Sequence, residues 1–318
     1  MEQICNMLAP GDGLPCKHYI RPDDPSQPGF CSQPERFFCV EAMKRKLPAI
    51  SYSASTDFIH CRLRYYHGVI EGLRVRSHQL PEPLKLGQAW NTFTRFMYED
   101  TPFHEALEPL KLSPEQAAKV NALVRAYRDL EIQVNKDRLL SSEYKVHVPV
   151  GQNQIIGFVD RAYENHIVES KLSTRPDFYA QRENLAYQLG TYFLANEEWD
   201  SATVEVVRAP SLRTGQGKYS EEDPGEYEER VYGDIISRPG YYFLGWDRKT
   251  RSYGVKFWRS EFDLDEIYST YVHVLREIHD TLEHGAWYPN NLACHVPAPC
   301  PYLPIKRSGV VSEEVYEK

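Results

Sequence analysis

Two carboxylates and one ammonium group occur close together in the stretch GFVDRAYENHIVESK, from Gly157 to Lys171. Two extended runs flank a polar turn near Asn165, a pattern typical of a β-hairpin. Side chains alternate between the faces of a strand, so Glu169 and Lys171 are expected on one face. The hairpin brings Asp160 opposite Glu169, or one position away, where both carboxylates could bind one cation.

The expected proximity of Asp160 and Glu169 predicts a cation site. Two carboxylates this close repel each other unless a positive charge lies between them. Mg²⁺ fits, because this hard cation prefers one or two carboxylates together with water and phosphate oxygens. The alternative is an exposed hairpin with a cross-strand salt bridge, because such short patterns often arise without function. The sequence that follows the hairpin favours the cation site.

A helix is predicted from Asp177 to about Asn196, because apolar residues recur there at intervals of three and four. Gln188 and Tyr192 are four positions apart in this helix, so they share a face that could rest against the hairpin. The alternative for Tyr192 is an ordinary aromatic residue of the core.

Further elements are predicted on both sides of the hairpin. They are a strand that contains Glu143, a turn at 151–153, strands at 201–209, 240–245 and 253–258, and helices at 113–139 and 264–284. Residues 211–227 are predicted to form a loop that either embraces a substrate or is a solvated insertion. Residues 310–318 are predicted to be a polar tail.

The order of these elements resembles the PD-(D/E)XK nuclease superfamily, in its RecB-like branch of phage-type exonucleases. The shared pattern is a strand with Glu, a strand with Gly and Asp, a strand with E-x-K and a helix with Q-x-x-x-Y. The resemblance implies an α/β fold, in which a mixed central β-sheet is flanked by helices. It predicts a nuclease domain at 49–290, between a Cys-rich N-terminal extension at 1–48 and a Cys-containing C-terminal segment and tail at 291–318.

Two upstream segments support this resemblance. ISYSASTDFIHCRLRYYHGVIEGL, at 50–73, resembles the first helix of that branch, with Ser53 or Ser55 expected as its N-cap. LKLGQAWNTF, which begins at Leu84, resembles the next helix. Trp90 stands where the branch usually has a metal-binding His, which leaves open whether the site has a second metal ion or full activity.

The resemblance implies metal-assisted hydrolysis of DNA phosphodiesters. The catalytic residues that it implies are Asp160, Glu169, Lys171, Gln188, Tyr192 and Glu143. Asp160, Glu169 and the backbone carbonyl of Ser170 would hold Mg²⁺ or Mn²⁺, which would polarise the phosphate and acidify a bound water. Lys171 would stabilise the developing negative charge, while Gln188 and Tyr192 would contact DNA phosphate or brace the site. Glu143 would either bind a second cation or orient the neighbouring Arg161.

Four of the seven cysteines lie in the Pro- and Gly-rich N-terminal extension, at Cys5, Cys16, Cys31 and Cys39. This segment has little apolar periodicity with which to build a core. Thiolates can hold such a module together by tetrahedral ligation of Zn²⁺. The spacing of these cysteines permits a structural metal and equally permits ordinary reduced thiols.

Cys61, Cys294 and Cys300 resemble the cysteines that hold a [4Fe–4S] cluster in some RecB-like nucleases. Lys306 follows where a last Cys would be expected. Three thiolates are one short of the four that a cubane cluster with protein ligands alone requires. Either Cys39 or another N-terminal Cys completes the set, or the cluster is reduced to a remnant held by packing.

The charge and hydropathy of the chain restrict its partners. A formal net charge of −8 is not the overall signature of a nucleic-acid-binding protein, although local fields decide binding. Basic residues that flank the predicted site in sequence are Arg62, Arg64, Arg74, Arg76, Arg208, Arg213 and Lys218. The sequence contains no apolar run long enough to cross a membrane and no secretory signal, which predicts a cytosolic protein without structural disulfides.

The expected function is that of a DNA exonuclease in recombination, repair or phage DNA processing. One alternative is a nuclease-fold protein that binds DNA, or a recombination or phage protein partner, without cutting. A third class is a phosphate-ester enzyme that acts on small nucleotides.

Overall fold

The computed structural model describes residues 19–20, 30–31, 47, 49–99, 103–133, 138–214, 221–294 and 300–318. Within these ranges, six strands form a mixed central sheet that is flanked by helices on both faces. The predicted α/β class with a mixed central sheet is therefore confirmed. None of the helices in the described ranges is both long and apolar enough to span a bilayer.

The strands differ in length and in the sheet to which they belong. The described ones are β1 (Tyr19–Ile20), β2 (Phe30–Cys31), β3 (Ile50–Ser51), β4 (Arg74–Val75), β5 (Leu139–Val150), β6 (Asn153–Tyr163), β7 (His166–Ser173), β8 (Ser201–Arg208), β9 (Val255–Trp258) and β10 (Tyr316–Glu317). The central sheet has the order β3-β6-β7-β8-β9, with β5 also paired to β6. β3 is parallel to β6 and β7 to β8, and the other central pairs are antiparallel. β1 pairs with β2, and β4 pairs with β10, outside this sheet.

Helices pack on both faces of the sheet. Those described are α1 (Tyr52–His60), α2 (Arg62–Tyr65), α3 (Glu82–Glu99), α4 (Phe103–Leu107), α5 (Pro114–Asp129), α6 (Ala186–Ala195), α7 (Pro224–Ser237), α8 (Pro239–Tyr242), α9 (Leu264–His284) and α10 (Leu303–Ser308). Consecutive residues of β8 face opposite layers, because Val206 packs in the core with α1, α6 and α9, and Val207 packs with α3, α5 and α7.

The two strands of the central hairpin, β6 and β7, separate a short distance from the turn. β6 and β7 pair at only two positions, and the pair farther from the turn joins Arg161 to Val168. Beyond that pair the strands diverge, and β3 pairs with the freed edge of β6. Asp160 and Glu169 are therefore the first residues past the divergence, which we call the strand fork.

Two glycines let α6 pack closely against its neighbours. A Cβ atom at Gly157 of β6 would lie 2.9 Å from Cε1 of Tyr192, and one at Gly190 of α6 would collide with the Ile267 side chain of α9. Larger residues at either position would push α6 away from the sheet or from α9. The helix that carries Gln188 and Tyr192 is thus held directly against the strand fork.

The helix predicted at 50–73 is interrupted, and its predicted N-caps are wrong. Ser51 is the N-cap, because its hydroxyl accepts a hydrogen bond from the backbone N–H of Ala54 at 3.0 Å. Cys61 has an extended backbone, with φ −162°, which ends α1 before α2 begins. A π-helical turn at Tyr66–Ile70 continues α2.

The helix predicted from Asp177 begins only at Ala186. The preceding residues form two 3₁₀ turns, at Pro176–Ala180 and Arg182–Asn184. The side-chain amide of Asn184 donates to the Phe178 carbonyl oxygen at 2.8 Å, and such local bonds compete with the helical pattern.

Helix boundaries with recognisable caps agree best with the sequence. The predicted Ser113–Gln116 capping box is present, although α5 ends at Asp129 and not at 139. α9 spans the predicted 264–284 and ends at Gly285, which has a left-handed backbone.

Three further predictions are wrong. Residues 240–245 do not form a strand, because Pro239 opens the short helix α8. The predicted loop at 211–227 contains the start of α7, whose Asp223–Glu226 capping box is a signal that would have revealed it. The C-terminal tail pairs through β10, and Tyr316 is buried.

Candidate active site

The strand fork brings the three predicted charged residues together. The Nζ atom of Lys171 donates to Oε1 of Glu169 at 2.5 Å, with both side chains on the α6 face of β7. Where the strands diverge, the carboxylate of Asp160 accepts the backbone N–H of Ser170 at 2.7 Å. Asp160 is thereby tied to the strand that carries the other two groups.

Glu169 is almost completely enclosed, with only 4% of its side chain exposed. Gln188 donates from Nε2 to Oε1 of Glu169 at 2.6 Å, which is the oxygen that Lys171 also contacts. The other carboxylate oxygen of Glu169, Oε2, lies 3.2 Å from the hydroxyl of Tyr192. These contacts from α6 fix the orientation of the carboxylate.

Tyr192 connects α6 to the backbone of β6. Its hydroxyl donates to the carbonyl oxygen of Phe158 at 2.7 Å and accepts from Gln188 at 3.0 Å. Burial, and next the charge of Glu169, raises the pKa of Tyr192 well above its usual value, so it remains a neutral donor. Tyr192 is both a core aromatic and a brace of the site, so the two interpretations of this residue are compatible.

The pKa of Asp160 is unusually high for a carboxyl group. Burial, and next the negative charge of Glu169, raises its pKa to about 7. Lys171, the Ser170 N–H and Arg161 act in the opposite direction but do not offset the burial. A cation that enters the site would stabilise the ionised form of this carboxyl group.

Lys171 stays protonated at neutral pH. Burial alone would lower its pKa, but the Glu169 and Asp160 carboxylates outweigh burial and raise it above its usual value. Lys171 can therefore supply positive charge and hydrogen-bond donors. It cannot act as a general base near pH 7.

A buried ion pair supports the opposite face of the fork. Arg161 donates from Nη2 to the hydroxyl of Ser170 at 2.9 Å and to Oε2 of Glu205 at 2.5 Å. Ser170 and Glu205 are directly paired residues of β7 and β8. The sequence prediction missed this support, although a charged residue inside the apolar strand SATVEVVRA, at Glu205, is a usable signal.

Glu143 lies at the edge of the site and not in its centre. It falls between the β5–β6 pairs Ser142–Arg161 and Tyr144–Val159, and hence beside Asp160 in register. Its φ of +47° is unusual for a residue other than glycine. Its carboxylate is about half exposed and forms an ion pair with Arg95 of α3 at 2.8 Å.

Trp90 belongs to the core between α3 and α5. It is 1% exposed, and its ring centroid lies 5.2 Å from that of Phe93 and 5.8 Å from that of Tyr127. An indole offers no metal-ligand atom, because its ring nitrogen is a donor only. The position where the family resemblance would place a His therefore supplies packing.

The residues of the fork fit a hard divalent cation. Two carboxylates, one of them with a pKa raised by its neighbour, leave negative charge that a cation would neutralise. Oxygen donors are the ligands that Mg²⁺ and Mn²⁺ prefer. Asp160, Glu169 and the backbone carbonyl of Ser170 are the groups that could hold such an ion.

Cys61, Cys294 and Cys300 also lie near one another, and we call them the cysteine cluster. The backbone N–H of Asn290 donates to Sγ of Cys61 at 3.3 Å, and Sγ of Cys294 donates to the carbonyl oxygen of Asn290 at 3.4 Å. Burial raises the pKa of the Cys300 thiol, and the other two thiols act in the same direction. The cluster thereby joins the α1–α2 junction to the C-terminal segment.

Among the described residues, the cysteine cluster supplies three thiols, one fewer than a four-thiolate centre needs. Lys306 donates from Nζ to Sγ of Cys294 at 3.4 Å, and an ammonium group has no lone pair for a metal. Cys5, Cys16 and Cys39, and the side chain of Cys31, lie outside the described residues.

Several of the flanking basic residues already have acidic partners. These ion pairs are Arg62–Glu277, Arg64–Asp57, Arg76–Glu317 and Arg208–Asp177. Lys218 lies outside the described residues. The paired arginines contribute less free positive charge to a DNA path than their number suggests.

No protein-family model matches the chain, and no curated protein matches it. The strongest grounds for a function are therefore the residues of the strand fork and their contacts.

Proposed function

We propose that the protein is a Mg²⁺- or Mn²⁺-dependent deoxyribonuclease, a PD-(D/E)XK enzyme of the RecB-like branch that acts as an exonuclease in recombination, repair or phage DNA processing. The observation that carries the proposal is the buried carboxylate pair at the strand fork. Asp160 and Glu169 share that fork with protonated Lys171, and Gln188 and Tyr192 of α6 orient Glu169.

Each residue has a role that follows from its contacts. Asp160, Glu169 and the Ser170 carbonyl would hold the cation, which would supply Lewis-acid polarisation and a more acidic water when bound. Gln188 and Tyr192 keep the Glu169 carboxylate in one orientation, so little reorganisation accompanies the reaction. Arg161 and Glu205 hold the Ser170 strand position from the other face.

Lys171 provides charge at the point where a phosphate would lie. Its raised pKa keeps the ammonium group protonated, so it stabilises the extra negative charge of a pentavalent phosphate as water attacks. The proton of that water must go to an acceptor other than Lys171, because the ammonium group is already protonated; solvent, a phosphate oxygen or a carboxylate of the site can accept it.

A second candidate function is DNA binding without cleavage. Trp90 favours it, because a buried indole stands where the family resemblance leads one to expect a ligand to a metal ion. Under this alternative, the fork binds a cation and a phosphate, and no bond is broken.

Cleavage assays separate the two candidates. Linear duplex, single-stranded and circular DNA are incubated with the wild type and with Lys171→Ala, in Mg²⁺, in Mn²⁺ and in a chelator. We expect the wild type to degrade linear DNA only with a divalent ion, and Lys171→Ala to be defective under the same conditions. Cleavage by neither protein would favour the binding function, and turnover of mononucleotides insensitive to DNA competitors would favour a small-nucleotide enzyme.

A further inference from the structure

Aromatic side chains flank the strand fork on two sides. Tyr52 begins α1, Phe178 and Tyr179 follow β7, and Tyr187 lies in α6. We call these four residues the aromatic rim. Two of them are exposed, at 42% for Phe178 and 38% for Tyr187.

The first side of the aromatic rim is joined to the charged residues of the fork. The rings of Phe178 and Tyr179 meet edge to face, with centroids 5.3 Å apart. Tyr179 lies close enough to Lys171 and to Tyr52 to act electrostatically on both. The exposed face of Phe178 is therefore one ring away from the ammonium group of the site.

The second side of the aromatic rim adjoins Gln188. Tyr187 is its neighbour in α6, and the ring centroids of Tyr187 and Tyr271 are 6.4 Å apart. The Tyr187 hydroxyl lies 3.4 Å from Oγ1 of Thr270, which restricts the ring. Tyr271 in turn lies within electrostatic reach of Tyr52, the member of the rim that begins α1.

The local charges leave one arginine available beside the aromatic rim. In the segment after β7, Asp177 pairs with Arg208 at 3.6 Å, and Glu183 pairs with Arg182 at 3.1 Å. Arg175 is exposed and has no acidic partner among the residues that the structure describes. A phosphate could bind its guanidinium without first displacing a carboxylate.

We propose that the aromatic rim and Arg175 bind a single-stranded nucleic acid, with bases stacked on Phe178 and Tyr187 and a phosphate on Arg175. The proposal rests on the nuclease function and specifies its substrate. Exposed aromatic rings next to a cation are the usual means of binding single strands. In a duplex the base faces are already stacked on each other, so these rings would have little to bind.

Binding without turnover tests this inference. A short fluorescein-labelled oligothymidine and a matching duplex are titrated by fluorescence anisotropy, with Ca²⁺ in place of Mg²⁺. We expect the wild type to bind the single strand more tightly than the duplex. Phe178→Ala and Tyr187→Ala should each weaken single-strand binding about five- to tenfold, the effect of losing one stacked base. Arg175→Ala should weaken it and reduce its dependence on salt.

Matched variants control for surface changes. Trp258→Ala removes an exposed aromatic ring from β9, and Arg248→Ala removes an exposed arginine without an acidic partner in the described chain. Both should bind like the wild type, and Tyr187→Phe, which keeps the ring, should bind nearly as well. Equal binding of single strand and duplex, or rim variants that behave like these controls, would overturn the inference.

The two proposals fail in different ways. If the wild type binds single strands through the aromatic rim but cleaves no DNA, the proposed nuclease function is contradicted and the proposed role of the rim is supported. If the protein cleaves duplex DNA and substitutions at Phe178, Tyr187 and Arg175 do not change the rate, the nuclease function is supported and the proposed role of the rim is contradicted.

Discussion

The strand fork and the cysteine cluster each join distant parts of the chain, but they differ in completeness. At the fork, every carboxylate and ammonium group has a partner that sets its position, and α6 braces it. At the cysteine cluster, Lys306 contacts Cys294 where the family resemblance would place a fourth thiol. One region has the groups that a cation needs, and the other has an ammonium donor against one of its three thiols.

This difference indicates which region depends on a metal ion. The like charges of Asp160 and Glu169 are costly when buried, and a cation removes that cost. The cysteine cluster has no such excess negative charge and is held by hydrogen bonds with Asn290 and Lys306. We therefore expect activity at the fork to require a metal ion. We expect the cysteine cluster to stabilise the packing of the C-terminal segment.

The largest effect is expected from Glu169→Gln. This change keeps the size of the side chain and the acceptor for Gln188 or Lys171, but removes a charge that a cation requires. We expect metal-dependent cleavage to fall by about 1000-fold or more. A rate within tenfold of the wild type would mean that the fork is not the active site.

A smaller loss is expected from Lys171→Met, which keeps the length of the side chain and removes its charge. Cleavage should slow by about 100-fold, because one preorganised positive group no longer faces the reacting phosphate. Binding of Mn²⁺ should persist, since both carboxylates remain. Loss of Mn²⁺ binding together with activity would show that Lys171 holds the site together and does not act in the reaction.

The pH dependence of cation binding follows from Asp160. Its pKa of about 7 in the metal-free protein means that the carboxyl group is largely protonated below that pH. The apparent affinity for Mn²⁺ should thus fall about tenfold per pH unit below 7 and level off above it. Titrations of Mn²⁺ between about pH 5 and about pH 9, roughly two units below and above this pKa, measure the slope. An affinity that is flat over this interval would contradict the assigned ionisation.

The smallest effect is expected at the cysteine cluster. Lys306→Met removes the bonds to Cys294 and Asn291, so the free energy of unfolding should fall by about 1 kcal/mol. Cleavage and Mn²⁺ binding should not change. Iron in anaerobically purified wild-type protein, with visible absorption that disappears in Cys294→Ser, would instead place a cluster there and reverse the comparison.

The sequence predicts local features of the fold well. The hairpin, α9 with its Gly285 cap and the Ser113 capping box depend on residues near one another in the chain. The strand fork depends on β3, which pairs with a segment far away in sequence. Local patterns contain little information about such a pairing, whereas the Ser51 cap is a local contact with Ala54 that the sequence prediction placed instead at Ser53 or Ser55.

In the candidate site, too, local features were predictable from the sequence and contacts between distant elements were not. Asp160, Glu169 and Lys171 follow from strand alternation and one turn, and Gln188 and Tyr192 follow from helical spacing. The Arg161–Glu205 support and the position of Tyr52 depend on how separate elements pack, which alternation alone cannot give. Glu143 was a good candidate by strand order, yet its exposed carboxylate pairs with Arg95, a residue of another helix.

The measurement that tests the central claim most directly combines Mn²⁺ binding with stability in the wild type and Asp160→Asn. The folded protein favours protonated Asp160, so metal-free stability should be full near pH 4 and decline as pH rises through about 7. Asp160→Asn keeps the acceptor for Ser170 N–H and removes the charge. We predict that at pH 8 the variant is more stable than the metal-free wild type but gains no stability from Mn²⁺. Equal stabilisation of both proteins by Mn²⁺, or of neither, would contradict a cation site at the strand fork.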